Sequence, residues 1–92
     1  MSKKTKKNPV YIVILQRGWV VVGRLSQVGS RVKLSGASVI RVWGTTKGLP
    51  ELVNGPTLST KLDPAPLGVE YHELTEIARI PCAEDKWASF CQ

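Results

Sequence analysis

The residues best suited to holding a ligand lie close together in the middle of the chain: Arg41, Trp43, Thr45, Thr46 and Lys47. The last three sit between two glycines, Gly44-Thr45-Thr46-Lys47-Gly48, just ahead of Leu49-Pro50-Glu51-Leu52. Backbone amides freed at a glycine turn, two hydroxyl donors, a lysine and a helix N-terminus are the parts of an anion site. Arg41 can form a bidentate pair with phosphate, and Trp43 or Trp19 can stack a base. Arg17 and Trp19 complete the set of candidate ligand-binding residues. The motif lacks the fixed spacing of a P-loop. It also fits a capped turn that feeds a core-packing helix, with Trp43 filling the core.

Catalysis has less to draw on. The chain has one histidine, His72, beside Glu70 and Glu73, with no serine or cysteine identifiable as its partner. A surface histidine explains it better than a general base. Glu70, Glu73 and Glu76 fit a solvated acidic face better than a cation site. No dinucleotide fingerprint or zinc motif is present. A non-enzymatic protein without cofactor or metal is expected.

The elements that must position these residues are mostly strands. Val10-Tyr11-Ile12-Val13-Ile14-Leu15 is apolar on both faces and predicts a central strand covered on each side. Arg17-Gly18 makes a tight turn into a second strand, Trp19 to Leu25, as a hairpin. Gly23 inside it marks a bulge, a barrel corner or a close backbone approach. After a turn over Ser26 to Ser30, Arg31 to Ser35 alternates, with Val32 and Leu34 inward and Arg31 and Lys33 outward. Gly36-Ala37 turns the chain into a fourth strand, Val39 to Trp43. Leu49, Leu52 and Val53 share a helical face, with Thr45 or Thr46 as cap and Asn54-Gly55 as stop. Residues 55 to 68 carry three prolines and no periodicity, and read as a long loop. One bent strand or two follow over 69–80, Pro81 stops the ladder, and Ala83 to Phe90 is helical, with Ala83, Trp87 and Phe90 on one face. The fold expected is mainly β: a strongly curved antiparallel sheet or small barrel of five or six strands, with a short helix after the fourth and another at the C-terminus.

Ninety-two residues make a single domain, here 10–92, behind a basic, disordered tail over residues 1–9. That tail carries Lys3, Lys4, Lys6 and Lys7; it reads as solubilising, with attraction to nucleic acid as the alternative. From 10 to 61 seven cations face Glu51 alone, whereas from 62 to 92 Arg79 and Lys86 face six acids. A chain with two such halves can meet an anionic ligand with one surface and another copy of itself with the other, so a homo-oligomer is expected. No apolar run approaches the ~20 residues of a membrane helix and no secretory signal is evident, which points to the cytoplasm. Cys82 and Cys91 fit neither a zinc pattern nor a disulfide framework and read as reduced structural thiols.

From Trp19-Val20-Val21-Val22-Gly23-Arg24-Leu25 through Ser35-Gly36-Ala37-Ser38-Val39-Ile40-Arg41-Val42-Trp43 and Leu49-Pro50-Glu51-Leu52 to Leu74-Thr75-Glu76-Ile77-Ala78-Arg79-Ile80-Pro81-Cys82, the chain resembles a family of small phage and prophage proteins. That family is classed as a domain of unknown function. The resemblance covers roughly residues 10 to 85 and carries over no catalytic residues; the lysine tail and Asp63-Pro64-Ala65-Pro66 look particular to this chain. It implies a non-enzymatic anti-defence protein in the host cytoplasm, acting either by sequestering a nucleotide immune signal or by capping a host defence protein. A nucleic-acid-binding accessory protein, using the tail with Arg31 and Lys33, is the third reading.

Overall fold

The computed structural model describes residues 8–46 and 48–91. Six strands form one antiparallel sheet: β1 (Val10–Leu15), β2 (Val20–Val28), β3 (Arg31–Val42), β4 (Lys61–Ala65), β5 (Val69–His72) and β6 (Glu76–Pro81). The order is β4-β3-β2-β1-β6, and β5 joins the same outer edge of β3 as β4, farther along it. A 3-10 helix over Leu49–Asn54 and a four-residue helix α1 (Glu84–Trp87) lie outside the sheet.

β1 is covered on both faces, as its unbroken apolar run predicts. Val10 and Ile12 pack with Val20, Val22 and Ile40 under the 3-10 helix and α1. Val13 and Leu15 pack with Val21, Val32, Leu34 and Tyr71 inside the curl of the sheet. The curl is visible in the connectivity. β5 lies on one edge and β6 on the other, yet only Glu73–Thr75 separate them. The sheet is therefore strongly bent but stays open; no ladder joins β5 to β6, and it is not a closed barrel.

Two bulges on β3 shape the molecule. Val22 pairs with Ser38 but Arg24 pairs with Ser35, so β3 holds one extra residue around Gly36, whose φ is 57°. Gly36-Ala37 is thus not a turn between two strands. The bulge keeps one strand going and shifts its alternation, so Val32, Leu34, Ala37 and Val39 all serve the inner cluster. Gly23 lies opposite it, where a Cβ would sit 3.0 Å from those of both Leu34 and Ala37. The close approach read from Gly23 is real.

Other expectations need correction. Residues 61–65 are not loop but β4, an edge strand that tolerates Pro64 because an edge needs no outward N–H. β2 runs on to Val28, so only Gly29-Ser30 turn. The helix after β3 is 3-10, begins after Gly48 with no side-chain cap, and buries Leu49 and Leu52 as its spacing requires. α1 stops at Trp87, and Phe90 lies half-exposed against the Trp87 ring, edge-on at 5.7 Å. Trp87 itself is fully buried, and its Nε1 donates to the Leu52 carbonyl at 2.8 Å, locking α1 to the 3-10 helix.

Candidate ligand-binding cleft

The β1–β2 connection is closed at its base: Leu15 N–H donates to the Trp19 carbonyl at 2.8 Å across Gln16–Gly18. Reversing the chain so sharply demands left-handed backbone. Gly18 supplies it at φ 80°, but Arg17 is left-handed too, at φ 68° and ψ 22°. Among the described residues it is the one non-glycine with positive φ. The turn raises Arg17 clear of the strands, and no described acid pairs with it. Trp19, immediately beyond, is 55% exposed.

Arg41 arrives from β3. Ile40 pairs with Leu62 and Val42 with Lys61, so Arg41 is the extra residue of the second bulge, the device that re-aims a side chain at a sheet end. The register Val21↔Val39 brings Arg41 level with Trp19. Its Nε donates to both carboxylate oxygens of Asp63, at 2.9 and 3.1 Å. Arg17, Trp19, Arg41 and Asp63 line one cleft of about 520 Å³ over Val20 and Val39. Pockets for small ligands run to about 300–1,000 Å³. The cleft offers two guanidinium groups, an indole and one carboxylate. That set can hold an anion, stack a planar ring and accept a hydrogen bond from the same molecule.

The remaining described candidates do not join it. Trp43 is 43% exposed, fills neither the core nor the cleft, and its carbonyl accepts from Thr60 Oγ1 at 2.7 Å. The Thr46 N–H donates to the Glu51 carboxylate, so the chain's own acid occupies the amide meant for an anion. Thr45 lies in the same stretch, outside the cleft lining. Lys47 and the Lys3–Lys7 tail lie outside the described residues. Compared with known proteins, the chain matches no family model and no curated protein.

Two features carry structural weight that the sequence does not announce. Arg24, 4% exposed, grips Glu84 through two hydrogen bonds of 2.7 and 2.6 Å and also donates to the carbonyls of Asn8 and Cys91. It ties the chain ends to β2. On the opposite face Glu76 accepts from Tyr71 Oη at 2.6 Å and from Arg79 Nη2 at 2.9 Å. The Arg79 hydrogen bond is the main cause holding the Glu76 carboxyl below its usual range, and burial is the main cause pushing the Tyr71 phenol upward. Glu70 pairs with Arg31, Glu73 accepts from Gln27, and His72 Nδ1 accepts the Leu74 N–H. The three glutamates and the histidine thus serve the fold separately. Burial also raises both thiols, Cys82 and Cys91, to about 11, which leaves them protonated and inert.

Proposed function

We propose that this protein is a non-enzymatic module that captures an anionic, base-bearing small ligand of the nucleotide class in the cleft of Arg17, Trp19 and Arg41. The observation carrying this reading is Arg17: a guanidinium with no acidic partner among the described residues, held up by a backbone conformation that glycine adopts at less cost. Outliers of this kind gather at ligand sites, where the surrounding structure maintains them. Trp19 supplies the stacking surface and Arg41 a second cation. Together with the resemblance to small phage proteins, this chemistry fits sequestration of a nucleotide immune signal in the host cytoplasm.

Calorimetry of the full chain against a panel of mononucleotides, linear dinucleotides and cyclic nucleotides tests it. Micromolar or tighter binding that Arg17→Gly weakens at least tenfold is expected. Absence of heat with every nucleotide would sink the proposal.

A protein-capping inhibitor is the second reading, favoured by a different feature. Pro56, Leu58, Leu62, Pro64, Pro66 and Phe90 line an apolar cleft of about 780 Å³ beside β4. Stoichiometric capture of one host protein, lost on Leu58→Asp and indifferent to Arg17→Gly, would favour it. For the nucleic-acid reading, the Arg31 and Lys33 face gives little support: Glu70 is the register partner of Lys33 and lies 3.5 Å from the Arg31 guanidinium.

A further inference from the structure

Arg17 and Trp19 line a second cleft as well as the first. Across the hairpin tip, a space of about 380 Å³ is bounded by Arg17, Trp19, Leu15, Val69, Glu70 and Tyr71. It is the mouth of the curl, where β5 comes round to meet the end of β1. The tip of the β1–β2 hairpin is therefore a ridge shared by two clefts.

The charges are arranged around Arg17. On the ridge stands Arg17, a cation without a described acidic partner. Each flanking cleft holds one carboxylate with an arginine beside it: Asp63 in the larger, bound by the lining residue Arg41, and Glu70 in the smaller, 3.5 Å from Arg31. Each also has an apolar wall, Val20 and Val39 on one side and Leu15 and Val69 on the other. A polyphosphate extending from Arg17 meets Glu70 in the smaller cleft, and in the larger one it competes with Asp63 for Arg41. A molecule with its anion in the middle, and planar rings bearing N–H or O–H donors at both ends, meets a matching group at every point.

Resting on the proposed ligand class, we infer that the ligand is a free dinucleotide seated astride the hairpin tip. Its linking phosphate lies on Arg17 and one nucleoside fills each cleft. A mononucleotide satisfies only half of this arrangement.

The test is calorimetry with pApA, cyclic diadenylate and AMP on the full chain and on Asp63→Asn, Glu70→Gln and Arg17→Gly variants. All three positions are exposed, so melting temperatures close to the parent confirm that the variants fold. One of the two dinucleotides is expected to bind at least tenfold tighter than AMP. Asp63→Asn and Glu70→Gln should each weaken that dinucleotide about three- to tenfold, and Arg17→Gly should weaken it more than either. AMP binding as tightly as both dinucleotides, or a dinucleotide indifferent to Glu70→Gln, confines the ligand to one cleft; this overturns the inference and leaves the proposed function standing. An adenine octanucleotide binding more than tenfold tighter than either dinucleotide overturns it in favour of single-stranded nucleic acid. No binding of any probe overturns both.

Discussion

Arg17 occupies backbone that costs an ordinary side chain about 1 kcal/mol relative to glycine. Nothing lies within 4 Å of a Cβ at the adjacent Gly18, so the tip is not crowded and the cost is conformational. Arg17→Gly is accordingly expected to leave urea stability unchanged or raise it by up to about 1 kcal/mol, while ligand binding falls. A loss of stability beyond that range would show that the Arg17 side chain supports the fold. Arg24 makes the opposite case. Its guanidinium is buried and gives four hydrogen bonds to three partners. Arg24→Met keeps the length but strands the Cys91 and Asn8 carbonyls, and should cost about 2–4 kcal/mol in urea unfolding. Glu84→Gln retains an acceptor, and Glu84 is half-exposed, so about 1 kcal/mol is expected there.

At the scale of elements, what was legible in the sequence were local rules with a strong physical cause. An apolar run on both faces gave β1, Arg17-Gly18 gave the hairpin, and Leu49 with Leu52 gave a buried helical face. β4 was hidden because Pro64 argues against a strand unless the strand is known to lie at an edge, which is a fact of tertiary order. Gly36 looked like a turn because bulge and turn ask for the same positive φ. The site was legible only by residue type. Arg17, Trp19 and Arg41 converge because the sheet pairs β2 with β3 and a bulge turns Arg41, and neither leaves a spacing to read. Asp63, read as part of a loop, was not among the candidate site residues. The Gly44 end of the turn, the first place one would look for an anion, makes structural contacts: Thr57 Oγ1 donates to the Gly44 carbonyl, and a Cβ at Gly44 would meet the Ser59 carbonyl carbon at 2.3 Å. Gly44→Ala therefore combines a backbone clash with φ 66°. It should cost more than about 2 kcal/mol in urea and open residues 56–60 to limited proteolysis, without any loss specific to ligand affinity in the protein that remains folded.

For the whole molecule, the division of charge along the sequence is partly bridged by internal ion pairs. Arg24–Glu84, Arg31–Glu70 and Arg41–Asp63 each join the basic first two-thirds to the acidic end. The asymmetry that suggested a second copy as partner is thus met in part within one chain. It argues for a defined pH dependence. Glu76 has its folded pKa depressed from 4.5, so its stabilisation is complete above that value and is lost as pH falls through the depressed one. Acid also raises the net charge above +6, so that self-repulsion grows. Tyr71 acts in the other direction. Its folded pKa is raised above 10.0, so its contribution is full below that and is lost as pH rises through the raised value. Urea midpoints should hold level through neutrality, fall below about pH 4.5, and fall again above pH 10. Glu76→Gln separates the causes. At pH 7 it should cost about 1.5–3 kcal/mol, the worth of hydrogen bonds to a charged group, and it should flatten the acid limb without moving the alkaline one. Tyr71→Phe should flatten the alkaline limb and leave the acid fall largely in place. An acid limb unchanged in Glu76→Gln would mean that the Tyr71–Glu76–Arg79 network is not what clasps β5 against β6 across the open side of the sheet.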